Sequence, residues 1–215
     1  IFLNRNLIVR SGGNLTLKNT ELILNCTYPG EYGIRVEKYG RLNVINSNIT
    51  STVGFWLLVK GTLKMINSYL SRCGYILDTT MHPGLLIREG KASISNCTIT
   101  DCIVGISCDY HSHVVVERSR IVHNELSGIY CCDASNVTIV NNLIMNNCYY
   151  YYYHAYWGGI CIEGYSPVLI ANNTIANNSP FGIFAWASCG SSTQMKATLR
   201  IIGNVIMNNS YPSLP

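Results

Sequence analysis

Apolar and polar positions along this chain follow one short phrase: apolar, any, apolar, any, Asn, any, any, apolar. It reads Leu15-x-Leu17-x-Asn19-x-x-Leu22, Leu42-x-Val44-x-Asn46-x-x-Ile49, Leu63-x-Met65-x-Asn67-x-x-Leu70 and Ala92-x-Ile94-x-Asn96-x-x-Ile99. It continues as Val114-x-Val116-x-Arg118-x-x-Ile121, Val137-x-Ile139-x-Asn141-x-x-Ile144, Val168-x-Ile170-x-Asn172-x-x-Ile175 and Leu199-x-Ile201-x-Gly203-x-x-Ile206. Eight copies in 215 residues make the chain one repeat architecture. The Asn-equivalent positions are 27, 21, 29, 22, 23, 31 and 31 residues apart, which suits a solenoid whose turns carry loops of variable length. Within each phrase the alternation has the period of a strand. A second alternating segment follows, often opened by glycine, as in Gly33-Ile34-x-Val36, Gly105-Ile106-x-Cys108, Gly128-Ile129-x-Cys131, Gly159-Ile160-x-Ile162 and Gly182-Ile183-x-Ala185. Each coil is therefore expected to supply two or three short strands that turn apolar side chains inward. Stacked in parallel at about 4.8 Å, eight coils give a rod of roughly 38 Å. The phrase Asn is expected at a corner, bonding the backbone and its copies above and below as a ladder. Arg118 and Gly203 interrupt that ladder, so those two corners are expected to differ. The whole of 1–215 reads as one domain, with 1–13 as the edge coil and 148–158 and 186–196 as loop insertions.

The phrases Gly13-Asn14-Leu15-Thr16-Leu17-Lys18-Asn19 and Gly61-Thr62-Leu63-Lys64-Met65-Ile66-Asn67-Ser68 resemble the right-handed parallel β-helix superfamily that includes pectate lyases and polygalacturonases. They are closer to the repeat-rich β-helix modules of archaeal and bacterial cell-surface proteins, and to a periplasmic β-helix family linked to copper-enzyme maturation. The resemblance covers essentially the full chain. It implies an all-β, single-stranded right-handed parallel β-helix of about eight coils. It implies little about function, because this scaffold hosts enzymes, adhesins and structural proteins alike.

Composition adds the compartment. Only 12% of residues are charged, and the net charge of +4 comes without a basic block; nucleic acid is therefore not an expected partner. No apolar run reaches the roughly 18 residues of a membrane-spanning helix. The chain opens at Ile1 with neither initiator Met nor signal peptide, as a processed chain or part of a longer one would. Eight N-x-[ST] sequons occur, at Asn14, Asn25, Asn48, Asn96, Asn136, Asn172, Asn177 and Asn208. Asn96 and Asn172 fall at ladder corners and are expected to be buried; Asn48, Asn177 and Asn208 fall on the outward side or on turns. Ten cysteines, an even count, fit an oxidising compartment. Cys73 and Cys102 share one position in consecutive coils and are candidates for a turn-bridging disulfide. Cys108 and Cys131 share an inward strand position, as a second candidate pair or as two small apolar core residues. The spacings form no zinc pattern, and neither metal nor cofactor is expected; His111 and His113 on one strand face read as surface residues.

Catalysis on such a scaffold needs clustered carboxylates. Glu37, Asp109, Asp133 and Glu163 fall at or one place from the same coil position, with His111 just beyond. Asp109, Asp133, Glu163 and His111 are thus the residues of a polysaccharide-binding or -degrading alternative. The Asp pairs of polygalacturonases and the Arg motifs of lyases do not occur, so no catalytic residue carries over. The segment Tyr149, Tyr150, Tyr151, Tyr152, Tyr153, His154, Ala155, Tyr156, Trp157 holds six of the fifteen tyrosines. It reads as a protein interface, a sugar-stacking platform, or a flap over the rod's own sheet. Both ends of the chain look uncapped: Phe2, Leu3, Leu7, Ile8 and Val9 are strand-like, and so are Val205 to Met207. The leading expectation is an extracellular structural glycoprotein, a subunit of a cell-surface filament or layer. Copies of itself are the expected partner, with cell-surface glycans as a further one. An adhesin-like domain of a larger surface protein stands beside it.

Overall fold

A computed structural model describes residues 1–77, 80–133, 135–148, 157–186 and 198–210, with the backbone alone at Thr80. The described residues contain no helix; three long parallel sheets run the length of the rod. Sheet A stacks nine strands, from Phe2–Leu3 to Val205–Met207, sheet B eight, from Leu7–Val9 to Phe181–Trp186, and sheet C eight, from Asn14–Lys18 to Leu199–Ile202. The chain visits A, B and C in turn and then repeats one layer on. This is a right-handed parallel β-helix of eight to nine coils.

The phrase is the C strand, a corner and the A strand. Its inward residues stack in register, as in Leu17, Val44 and Met65 or Leu22 and Ile49, and they form one continuous core. The Gly-Ile segment is the B strand. Its glycines are required by their neighbours: a Cβ on Gly128 would lie 2.8 Å from the Gly159 carbonyl and 2.9 Å from the Asn147 amide nitrogen. Among the described residues one antiparallel pair departs from the repeat, Tyr75–Leu77 with Thr80–His82, set between the A and B strands of one coil.

The corner between C and A turns on the phrase Asn, which takes a left-handed backbone with φ of 52° at Asn19, 49° at Asn46 and 53° at Asn96. Asn tolerates that region better than other side-chain-bearing residues. Arg118 and Gly203 adopt the same turn, at 48° and 63°, so the expected change of corner geometry does not occur; the stacked coils impose the turn whatever the residue. Asn46, Asn67 and Asn96 do form a ladder from Asn19, at 3.3, 3.2 and 2.7 Å, but on the outside of the rod. Asn96 and Asn172 are exposed, contrary to expectation. The buried ladder is one residue further on. There Ser47, Ser68, Cys97 and Ser119 give way to Asn142 and Asn173, each side chain of the later part accepting from the preceding coil's backbone N–H. The corner between A and B holds a second one, in which Phe55, Cys73 and Cys102 give way to Asn124, Asn147 and Asn178.

The nine described cysteines are free thiols, all buried. Cys73 and Cys102 occupy the inner A–B corner, where Cys102 donates to the Thr100 carbonyl at 3.2 Å. Cys108 and Cys131 are paired strand neighbours inside the core. Neither candidate disulfide is present. Stacked positions stand about 4.8 Å apart, whereas a disulfide draws its Cβ atoms to about 3.8 Å.

Candidate functional site

At the end of sheet B each strand releases an outward side chain into the turn toward sheet C. In successive coils that column holds Glu37, Lys60, Arg88, Asp109, Cys132 and Glu163. Asp109 is buried, and its carboxylate Oδ2 accepts from Arg88 Nε at 2.9 Å and Nη2 at 2.6 Å. Its Oδ1 accepts from the Cys132 thiol at 3.2 Å. Arg88 also lies over the Tyr110 ring, 5.0 Å from its centroid. Asp133, one residue past the column and exposed, closes the group: donor atoms of Asp109, Cys132 and Asp133 lie within 4.8 Å of one another. Tyr130, two residues before Cys132, donates its hydroxyl to Glu163 in the next coil.

The electrostatics follow from crowding. Burial first, then the hydrogen bond and charge of Asp109 and the charge of Glu163, push the Asp133 carboxyl above its ordinary value; His111 works against them. Burial and Asp109 raise the Cys132 thiol, and burial and Glu163 raise the Tyr130 hydroxyl. The thiol is therefore a donor to Asp109 at neutral pH and not a thiolate. Three donor atoms this close are enough to touch one small cation, but Arg88 already supplies the positive charge on Asp109. Hydrolysis of a glycoside needs two carboxyl groups about 5–5.5 or 6.5–9.5 Å apart across an open sugar site. Here Asp109 is buried under Arg88, with Asp133 against it.

A stability effect is expected. Because the folded-state pKa of Asp133 is raised, folding favours its protonated form, and that contribution is complete below the unfolded value near 4. It is lost as pH rises through the raised value. Denaturant midpoints of the wild type should fall across that window, and those of Asp133→Asn should be flatter; equal slopes would refute the assignment.

The sequence therefore brought Asp109, Asp133 and Glu163 to one flank correctly, whereas Glu37 stands coils away beside Lys60. His111 is exposed and meets Asp133 through its backbone N–H, which donates to the Asp133 carbonyl at 2.9 Å. His113 opens a strand of sheet C. Arg88, Cys132 and Tyr130 were missed, although Cys132 and Arg88 share the column and were readable from coil alignment.

Two other surfaces bear on function. Trp157 packs at 5.4 Å on Tyr130, beside a second apolar cluster of Ile103, Val104 and Leu126 on the outer side of sheet B. That end of the aromatic segment lies against the rod; Tyr149, Tyr150, Tyr151, Tyr152, Tyr153 and Tyr156 lie outside the described residues. At the start of the chain Leu3, Leu7 and Val9 point into the core, while Phe2 and Ile8 are outward and exposed. The far end is more open: inward-facing Ile201 and Ile206 are 47% and 49% exposed, against 0% for Ile170 and Ile175 one coil earlier. With Ile183 and Leu199 they line a hollow of about 480 Å³.

A family model described as "Right handed beta helix region" matches residues 32–206. No curated protein and no solved structure matches the chain.

Proposed function

Since this chain belongs to the right-handed β-helix family, whose fold serves enzymes and non-enzymes alike, we propose that it is a structural module of an extracellular glycoprotein. It extends by end-to-end stacking with copies of itself, as a subunit of a cell-surface filament or layer. The observation that carries this reading is the apolar end formed by Leu199, Ile201 and Ile206. These residues continue the inward columns of the core yet stand half-exposed, on the last strands of sheets A and C, which pair with no further strand among the described residues. Such an edge invites another layer of strands. All strands in the three sheets run parallel, so the first coil of a second copy, with Leu3, Leu7 and Leu15 inward, offers the same three-sided cross-section in the right polarity. Contacts between unlike ends do not close on themselves and give filaments. The buried, arginine-capped Asp109 favours this structural reading over a catalytic one.

The test is association of the wild type and of an Ile201→Lys/Ile206→Lys variant, by sedimentation velocity and negative-stain electron microscopy. The wild type is expected to form rods several subunits long. The variant should stay monomeric with unchanged circular dichroism, since both positions are already wetted. Equal assembly of the two proteins would sink end-to-end stacking.

A further inference from the structure

The asparagines of this chain divide into two populations. Those of the inner ladders, Asn124, Asn142, Asn147, Asn173 and Asn178, are buried, and none is the acceptor residue of a sequon. All eight sequon asparagines are exposed. They fall on the outer positions of sheets A and C and on the two corners flanking sheet A; the strands of sheet B carry none.

Exposure alone does not separate the eight, but side-chain bonding and packing do. Asn25 donates to Asn4 at 3.0 Å and Asn96 to Asn67 at 2.7 Å, so their amide nitrogens are engaged in coil-to-coil bonds. Asn14 accepts from Asn43 at 3.0 Å, and the Asn172 carbonyl sits against Gly203. Asn48, Asn136, Asn177 and Asn208, and also Asn172, make no side-chain hydrogen bond among the described residues; Asn172 is set apart by its packing against Gly203. At Asn48 and Asn136 the strand alternation also puts the hydroxyl two residues on, Thr50 or Thr138, on the same outer face as the Asn. Asn177 and Asn208 repeat one corner position in adjacent coils, about 4.8 Å apart, too close for two bulky sugars side by side.

We propose that Asn48 and Asn136 carry N-linked glycans, together with one of the pair Asn177 and Asn208. Sugar then covers the A and C sides of the rod and leaves the outer face of sheet B bare. The donor class is an oligosaccharide on a lipid pyrophosphate. The C–N bond forms between the Asn Nδ2 and the anomeric carbon, the anomeric C–O bond to pyrophosphate breaks, and the amide proton leaves with the lipid pyrophosphate. The assignment rests on the extracellular reading above, because the transferase works outside the cytoplasm.

The experiment takes the protein from its own cells, fractionates surface from cytosol, and maps glycopeptides by mass spectrometry. The expected result is surface protein with sugar on peptides holding Asn48 and Asn136 and on one of the two corner peptides. Asn48→Gln and Asn136→Gln should each remove one glycan mass without changing the far-ultraviolet spectrum. Surface protein bare at Asn48 and Asn136 would overturn the inference and leave the extracellular reading standing. Protein found only in the cytosol would overturn both.

Discussion

Replacing Asn147 by Ala is expected to lower the unfolding free energy by about 3–5 kcal/mol, far more than any exposed asparagine of the same turn. Asn147 is buried. Its Oδ1 accepts from the backbone N–H of Asn124 at 3.1 Å and from the Asn124 amide at 2.8 Å. Its Nδ2 donates to the Ile121 carbonyl at 3.0 Å and to Asn178 at 2.9 Å. Removing the side chain strands at least the Asn124 N–H and the Ile121 carbonyl where water does not reach. Each stranded group costs about 1–3 kcal/mol, and the lost packing against Gly128 adds to it. The control is the preceding residue, Asn146, which turns the same corner at a φ of 56° without belonging to the inner ladder. Asn146→Ala should cost about 1 kcal/mol, the penalty of a left-handed backbone at a residue with no local polar group. Urea unfolding measures both, and hydrogen exchange should show the Asn124 amide losing protection in Asn147→Ala alone. Similar losses in the two variants would mean that the inner ladder is not what holds this corner.

Phe55→Ala is expected to cost about 3–5 kcal/mol by cavity formation, the usual range for a buried aromatic cut to a methyl group. Phe55 is fully buried at the inner A–B corner and bridges to Cys73 in the next coil. It does for the early coils, by volume, what the amide ladder does for the later ones by hydrogen bonds. No amide stands at this corner to support the gap, and the neighbouring Gly54 and Gly74 backbones are already in contact range, so little collapse is available. Leucine at the same position should recover much of the loss. A Phe55→Ala protein with a wild-type denaturation midpoint would show that the corner repacks freely.

These two variants also locate what the sequence made legible. Period-two alternation identified the C strand, the A strand and the inward columns, because only one face of each strand can be buried and a one-residue slip would expose the whole set. The same alignment placed Asp109, Asp133 and Glu163 on one flank. It found the outer Asn ladder but not the inner ones, and the burial expected at Asn96 and Asn172 does not occur. Asn19, Asn46, Asn67 and Asn96 recur visibly because a left-handed corner favours Asn, and that recurrence says nothing about burial. The true inner columns change residue type along the rod, from Ser and Cys to Asn at one corner and from Phe and Cys to Asn at the other. No single letter announces them; what is constant is a buried position that must satisfy or cover the same backbone groups. The cysteines illustrate this. Repeat spacing suggested a bridge from Cys73 to Cys102, yet both are small, weakly polar members of the inner A–B column, with burial raising the Cys102 thiol to about 12.

What the sequence determined by itself is the solenoid, its strands and its register, since those depend on local alternation and short turns repeated eight times. Only the tertiary structure decided the rest. Arg88 meets Asp109 across 21 residues of chain, Cys132 meets the same Asp109 across 23, and Trp157 reaches Tyr130 over the outside of sheet B. It also decided which asparagines face water. Loops of unequal length separate these partners in sequence, and only the stacking of coils fixes which layer each residue enters and which neighbour lies one coil away.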